Sequence, residues 1–424
     1  MQIIENTKVK EKAYIEKLEN GLTVIIIPKK GIKKKYAIWG TRYGSNNNKF
    51  IVPGETEITQ VPDGVAHFLE HKMFEQENGR NSLDVLTSLG VNANAYTTND
   101  HTAYLFECTD NFEPAFSELA DYIQHPYFTD ENVEKEKGII GQEISMYDDD
   151  PGWSVYLNAM KAMYVNNPVR IDIAGTQETI SKIDKDILYK CYKTFYHPSN
   201  MALVLCGDFE PEKMIEIIRQ KQVLTQRQGE IKKIFEDEPD GINEKEIKVQ
   251  MEVSIPNFII AYKDKLEKEN IVKRSLTIYM LLNIIFGKSS NLYKQLYSEG
   301  LLIQEPDTAY EYSYDYAHIA IGGQSTEPHK ILDSLNNEIK NLIQNGINED
   351  DFNRVKKMVY GDYVKEYNDV GNIARMFLTD YLKGINSFDY LETIDIITKE
   401  YAEQLLKEVF NEDKQIISIV EPKQ

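Results

Sequence analysis

Two histidines four positions apart constrain this chain more than any other feature. They belong to the motif His67-Phe68-Leu69-Glu70-His71. On an α-helix, residues at i and i+4 project from the same face one turn apart, so both imidazoles can reach one metal ion. Glu70 lies between them and can hold a water molecule bound to that ion. The metal interpretation needs a helix here, and the sequence predicts one over 64–76 with Asp63 as its N-cap. The alternative is a pair of surface histidines beside a solvated glutamate.

A third metal ligand is expected, because catalytic zinc normally has three protein ligands and a water molecule. Glu143 lies on a predicted helix over 130–147, and its neighbours one turn away in both directions are all apolar: Ile139, Ile140, Met146 and Tyr147. A carboxylate on a core-facing stripe must be paired or bound to metal. Glu136, seven residues earlier, lies on nearly the same face. For both glutamates, the alternative is that the side chain simply reaches solvent.

Apolar patterning predicts strands and helices along the whole chain. Runs of β-branched and aromatic residues predict strands at 22–30, 36–44, 91–97, 102–108, 201–206, 258–262, 309–312, 317–323 and 416–420. Helical spacing predicts further helices near 113–124, 154–164, 184–195, 272–286, 329–344 and 349–368. The polar stretch 226–246 is the predicted linker. The segments 194–211 and 408–422 share the order aromatic helix end, polar turn and apolar strand, which fits an ancient duplication of an α+β unit.

Composition narrows the possible functions. The formal net charge of -20 argues against nucleic acid or an anionic membrane as the main partner, because both require a basic surface. Three cysteines are too few for a disulfide framework in a chain of this length, and the odd number indicates a reducing compartment. The first residues contain no apolar segment typical of a secretory signal. We therefore expect a cytoplasmic protein.

With Glu143 in the stretch IIGQEISMYDDDP, the His67–His71 motif resembles the insulinase–pitrilysin family of zinc peptidases, the inverted zincins. Three other segments also match, namely Leu18-Glu-Asn-Gly-Leu22, Asn94-Ala-Tyr-Thr97 and TFYHPSNM at 194–201. The resemblance covers nearly the whole chain, and it is closest to the YmfH-like bacterial branch of short, single-half members. It implies an α+β fold of two similar domains, each an antiparallel β-sheet packed against helices, as in the mitochondrial processing peptidase. The expected domains are 1–225, the zinc-binding half, and 247–424, a homologous half without the motif.

The resemblance also implies a role for each matching residue. His67, His71 and Glu143 would hold one Zn²⁺ ion per chain, Glu70 would be the general base, and Glu136 would support the site. Asn94 and Ala95 match the edge strand to which a peptide substrate adds. Without the family, Asn94 would be interpreted as a residue flanking a turn.

These roles predict a zinc metalloendopeptidase that cleaves short or unfolded peptides inside a chamber formed with a partner chain. Active relatives carry an arginine and a tyrosine seven positions apart in the second half. This chain has Tyr297 where the family has the arginine, and it has Leu302, Ile303 and Gln304 near the position of the tyrosine. We therefore expect a heterodimer with a paralogous chain that supplies this pair, in preference to a homodimer. The alternatives are a non-catalytic scaffold or maturation subunit that keeps the fold, and, more weakly, another zinc hydrolase or lyase.

Overall fold

The computed structural model describes residues 1–223, 225 and 230–423, so part of the predicted linker, 226–229, lies outside the described residues. The strands are β1 (Gln2–Asn6), β2 (Glu11–Lys17), β3 (Thr23–Pro28), β4 (Lys35–Thr41), β5 (Lys49–Ile51), β6 (Ile58–Gln60), β7 (Asn92–Thr97), β8 (Thr102–Cys108), β9 (Met201–Gly207), β10 (Lys232–Lys233), β11 (Glu246–Met251), β12 (Asn257–Asp264), β13 (Asp307–Tyr312), β14 (Ala317–Gln324) and β15 (Gln415–Pro422).

The helices occur mostly in two runs, one between β8 and β9 and the other between β14 and β15. They are α1 (Val65–Lys72), α2 (Ser82–Ser88), α3 (Phe112–Gln124), α4 (Asp130–Asp148), α5 (Pro151–Met163), α6 (Gln177–Ser181), α7 (Lys185–Phe195), α8 (Pro211–Gln220), α9 (Ile271–Phe286), α10 (Asn291–Ser298), α11 (Pro328–Asn345), α12 (Glu349–Glu366), α13 (Val370–Lys383), α14 (Asp389–Ile396) and α15 (Lys399–Val409).

The chain divides into two compact units. The first comprises Met1–Ile144, Asp172–Ile234 and Val364–Phe388, and the second comprises Ser145–Ile171, Phe235–Tyr363 and Asp389–Gln424. Two segments belong to a different unit from the one that the sequence predicts. The segment with α5 packs in the second unit, and the segment with α13 packs in the first.

A seven-stranded sheet with the order β1-β2-β3-β9-β4-β8-β7 forms the centre of the first unit. Its central strands are apolar on both faces because helices cover both. Ala37 and Trp39 belong to the main core cluster, which also includes residues of α1, α3 and α7. On the opposite face, α13 lies across β4 and β9. Gly40 permits this approach, since a Cβ atom there would lie 2.8 Å from a methyl carbon of Leu378.

The second unit is built on a five-stranded sheet with the order β11-β15-β12-β14-β13. Helix α5 packs on β15 and β12 through a cluster that includes Val155, Ala159 and Met163. Helices α9, α11 and α15 also contact this sheet or one another.

The two sheets share one arrangement of five strands. In the first unit, β3 is parallel to β9, and β9, β4, β8 and β7 follow as antiparallel neighbours. In the second, β11 is parallel to β15, and β15, β12, β14 and β13 follow in the same way. The predicted α+β class with two similar halves is confirmed, with the addition that each of these two sheets contains one parallel pair.

Two local expectations about the first predicted helix were wrong. Asp63 does not cap it, because the N-cap is Gly64, which has a φ of 92° and makes no side-chain cap hydrogen bond. The Asp63 carboxylate instead accepts a hydrogen bond from Asn48. The helix also ends at Lys72 rather than near residue 76. Among the described residues, no helix is long and apolar enough to cross a membrane.

Candidate metal centre

Helix α1 carries the His-x-x-Glu-His motif into the first unit. Val65, Phe68 and Leu69 belong to the core cluster, so this side of the helix is fixed against the sheet. A side chain at position 64 is excluded by the left-handed φ and by the carbonyl oxygen of Ala174, which would lie 2.4 Å from a Cβ atom. The helix therefore begins in tight contact with another segment of its unit, and its two histidines are held in place.

Helix α4 brings Glu143 to both histidines. The Nε2 atom of His67 lies 3.7 Å from Oε1 of Glu143, and Nε2 of His71 lies 3.5 Å from Oε2. One ligand atom from each of the three residues can be chosen so that all lie within 4.8 Å of one another. Ligand atoms around a tetrahedral zinc ion are about 3.3–3.5 Å apart, given the usual zinc–nitrogen and zinc–oxygen distances. The donor atoms and their spacing therefore fit a zinc ion.

Glu136 lies on the other side of His71. Its Oε1 atom is 3.1 Å from Nδ1 of His71, and its Oε2 atom is 3.4 Å from Nζ of Lys72. A carboxylate that accepts the Nδ1 proton fixes the imidazole tautomer and leaves Nε2 free to bind metal. Glu136 is therefore placed to orient His71 rather than to bind the ion itself.

The two histidines differ electrostatically in the protein without metal. Burial, followed by repulsion from His71, lowers the pKa of His67 to about 3. For His71, burial also lowers the pKa, but the hydrogen bond with Glu136 and the charges of Glu70, Glu136 and Glu143 outweigh it, so the pKa is raised. His67 is therefore neutral and ready to bind a metal ion, whereas the raised pKa of His71 makes protons stronger competitors of a metal ion at that ring.

Glu70 is almost completely buried beside these ligands. Burial raises the pKa of its carboxyl, against the opposing effect of a hydrogen bond from Thr97. The Thr97 hydroxyl donates to Oε2 of Glu70 at 2.7 Å. Thr97 is the last residue of β7, so the carboxylate that we regard as a base is tied to the edge strand of the sheet.

That edge strand borders a cavity of about 460 Å³, which Glu70, His71, Asn94, Ala95 and Glu136 help to line. Among the residues that the structure describes, strand β7 pairs with β8 on one side and has no strand on the other. The amide N–H of Ala95 donates to the Asn94 side chain at 2.9 Å. Asn94 and Ala95 therefore lie at an edge strand beside the candidate metal site.

Two aspects of the site differ from the sequence reasoning or were missed by it. The stripe that was expected to carry Glu143 into the core contains Ile139 and Met146, which are 47% and 61% exposed. Glu143 is therefore held at the site by the position of α4 and not by a core-facing stripe. Lys72 and Thr97 were not identified from the sequence. A signal existed for Lys72, because it continues the apolar i, i+3, i+4, i+7 spacing of Val65, Phe68 and Leu69.

Fold and site together define a two-unit α+β protein with an inverted metal-binding motif on a helix beside an edge strand. The family model described as Insulinase (Peptidase family M16) matches residues 54–177, and that of the Peptidase M16 inactive domain matches residues 182–359. A relative in Bacillus subtilis (strain 168), an uncharacterized zinc protease named YmfH, is 40% identical, covering 99% of each chain. The chain therefore belongs to the insulinase family, peptidase family M16.

Solved structures agree with this assignment. A crystal structure of an M16-like peptidase from Alicyclobacillus acidocaldarius superposes with a TM-score of 0.93 at 32% identity, covering 99% of this chain and 100% of that one. The periplasmic protease PqqL from Escherichia coli matches with a TM-score of 0.77 at 15% identity, and the match covers 100% of this chain but 48% of PqqL. At that identity the likeness concerns the fold alone.

Proposed function

We propose that this chain is a zinc-dependent endopeptidase that holds one zinc ion with His67, His71 and Glu143. The observation that carries the proposal is the approach of Glu143 to both Nε2 atoms at 3.5 and 3.7 Å, with Glu70 on the same helix turn. The name of its relative in Bacillus subtilis, a zinc protease, supports the choice of metal.

A zinc ion in this site supplies Lewis acidity, which polarises a peptide carbonyl and lowers the pKa of water. Glu70 is the general base in this proposal. Its carboxylate takes a proton from the attacking water and passes it to the nitrogen of the leaving amine. Thr97 holds that carboxylate in place through its hydroxyl, and Glu136 holds the ring of His71.

Substrate binding is assigned to the free edge of β7. An extended peptide would add there as a further antiparallel or parallel strand through backbone hydrogen bonds, with loose sequence preference. The amide of Ala95 would exchange its present bond with Asn94 for one with the peptide. Only a chain without its own secondary structure can add in this way, which favours short or unfolded peptides as substrates.

A partner chain is part of the proposal. Tyr297 occupies the position where the family resemblance leads us to expect arginine, and Gln304 lies near the position of the expected tyrosine; both are exposed. The sequence has no arginine between Arg274 and Arg354. A guanidinium and a phenol that stabilise the developing oxyanion would have to come from elsewhere, and a paralogous chain is preferred to a second copy of this one.

The test of the catalytic proposal compares wild-type protein with Glu70→Gln. Zinc content is measured on the purified proteins, and cleavage is followed with a library of short peptides. We expect about one zinc ion per chain in both proteins, and a loss of cleavage of about 10²–10⁴-fold in the variant. Glu134→Gln, which changes a largely exposed glutamate of α4, is the matched control and should cleave normally. Cleavage that survives in Glu70→Gln would refute the assignment, and a metal-free, inactive wild type would favour the scaffold function.

The partner is tested separately. The chain is assayed alone at concentrations that span its self-association, and again after addition of a paralogous chain that carries the arginine and tyrosine. Addition should raise kcat by about 10²-fold or more, the scale of one oxyanion donor. Equal activity with and without the second chain would exclude this part of the proposal.

A further inference from the structure

Lys72 is a buried cation immediately after a metal-binding histidine. Its side chain is 1% exposed and extends from the end of α1 into the interior of the first unit. An ammonium group is costly to bury unless it is paired with a negative charge and hydrogen-bonded. Its partners therefore indicate why a lysine stands where the apolar spacing of the helix would place a hydrophobic residue.

Two carboxylates surround the ammonium. Glu75, one turn further along the chain, forms a close ion pair with it and remains 32% exposed. Glu136, from α4, is 13% exposed and lies 3.4 Å from the Lys72 nitrogen. Glu75 by itself could neutralise the lysine, so the contact with Glu136 is the one that connects Lys72 to the metal site.

Glu136 is held at both of its oxygens by consecutive residues of α1. Oε1 contacts Nδ1 of His71 at 3.1 Å, and Oε2 contacts Nζ of Lys72. With both oxygens anchored, the carboxylate has one orientation, and the His71 ring is fixed with Nε2 directed at Glu143. Loss of the ammonium would leave the carboxylate anchored at one oxygen and free to rotate.

The charges around the site also indicate that Lys72 supports Glu136. Glu70, Glu136 and Glu143 approach the site from two helices, and a divalent cation balances two negative charges. The ammonium of Lys72 adds a positive charge on the side of Glu136 away from the metal ligands, where Glu136 and Glu75 share it.

We propose that Lys72 is a positioning residue of the metal centre, which acts on His71 through Glu136. This inference rests on the proposed function, because it assumes that His67, His71 and Glu143 bind zinc. It adds to that function a residue outside the metal ligands and the general base.

The experiment is a double-mutant cycle on zinc affinity, with Lys72→Met, Glu136→Gln and the double variant of the full chain. Zinc dissociation constants are measured by competition with a chelator, and thermal unfolding of the metal-free proteins reports folding. The visible absorption of the Co²⁺-loaded proteins reports ligand geometry. Lys182→Met, which removes an exposed lysine paired with Glu178, is the matched control.

We expect Lys72→Met to weaken zinc binding by about tenfold and Glu136→Gln by about 10–100-fold, the range for residues that orient metal ligands. The double variant should bind zinc as Glu136→Gln does, because Lys72 acts through that carboxylate. The Co²⁺ spectrum should change in Lys72→Met and not in the control. If Lys72→Met does not fold, Lys72→Gln replaces it, with the same expected loss because glutamine carries no charge.

Three results would overturn the inference. One is an unchanged dissociation constant in the folded Lys72 variant, and another is an unchanged Co²⁺ spectrum. The third is a double variant whose loss equals the product of the two single losses, since the two residues would then act independently. Wild-type protein that binds no zinc would instead refute the proposed function, so the two failures are distinguishable.

Discussion

Replacement of Arg274 by methionine should strongly destabilise the second unit. Arg274 is completely buried and donates to Asp264 through two nitrogens, at 2.9 and 2.6 Å. It also contacts Glu267 and Glu408, at 3.1 and 3.0 Å. The guanidinium therefore places its single positive charge against three carboxylates within one unit, and a methionine would form none of these contacts.

The size of the stability loss in Arg274→Met depends on how well water can hydrate each carboxylate once the arginine is gone. Glu267 and Glu408 have side chains that are 46% and 51% exposed, so they can be hydrated when the arginine is lost. Asp264 is only 4% exposed and would keep the Tyr310 hydroxyl as a hydrogen-bond donor. Removal of one partner from a buried ion pair costs about 3–5 kcal/mol. At about 2–4 °C per kcal/mol for a domain of 150–250 residues, Tm should fall by about 6–20 °C.

Denaturant unfolding and thermal melts of the full chain measure this effect. Arg354→Met is the matched control, because it removes a surface arginine paired with Asp351 and should cost less than about 0.5 kcal/mol. Combining Arg274→Met with Asp264→Asn removes the isolated charge and should recover part of the lost stability. A loss below about 1 kcal/mol for Arg274→Met, or a double variant less stable than the single one, would refute the reasoning.

Three further predictions concern the first unit. Gly40→Ala should destabilise the first unit by about 1–3 kcal/mol in denaturant unfolding, because the new methyl group would clash with buried Leu378. Gly138→Ala is the control: it lies at an open position of α4 and should stabilise the unit by about 0.5–1 kcal/mol. Thr97→Val should move the acid limb of the kcat/KM profile to higher pH, because the hydrogen bond from Thr97 lowers the pKa of Glu70 and its loss raises that pKa. Thr97→Ser keeps the hydroxyl and should leave the acid limb in place. Acidification should release zinc and activity together, because His71 must be neutral to bind zinc and its pKa is raised above the ordinary histidine value of about 6.5, whereas the pKa of His67, lowered to about 3, keeps that ring neutral. Activity that persists at pH 5 with metal still bound would contradict this.

Local patterns in the sequence determined much of what the structure contains. His67 and His71 share a face because the helix itself sets the i to i+4 spacing, and no distant contact is needed for that. The strands at the centre of each sheet were predictable because covered strands must be apolar. The likeness of segments 194–211 and 408–422 also has a structural counterpart, since β9 and β15 occupy equivalent positions in sheets of the same strand order.

Only the tertiary structure decided how distant segments meet. The approach of Glu143 to the histidines depends on the packing of α4, since the apolar spacing that predicted a core-facing stripe includes Ile139 and Met146, which are exposed. The placement of α5 in the second unit and of α13 in the first also depends on tertiary packing, since the pattern of an amphipathic helix does not indicate which sheet the helix will cover. The contact between Lys72 and Glu136 joins residues 64 positions apart in the sequence. Helical periodicity governs neighbours within a few turns, whereas distances between elements depend on how complete side-chain surfaces pack together.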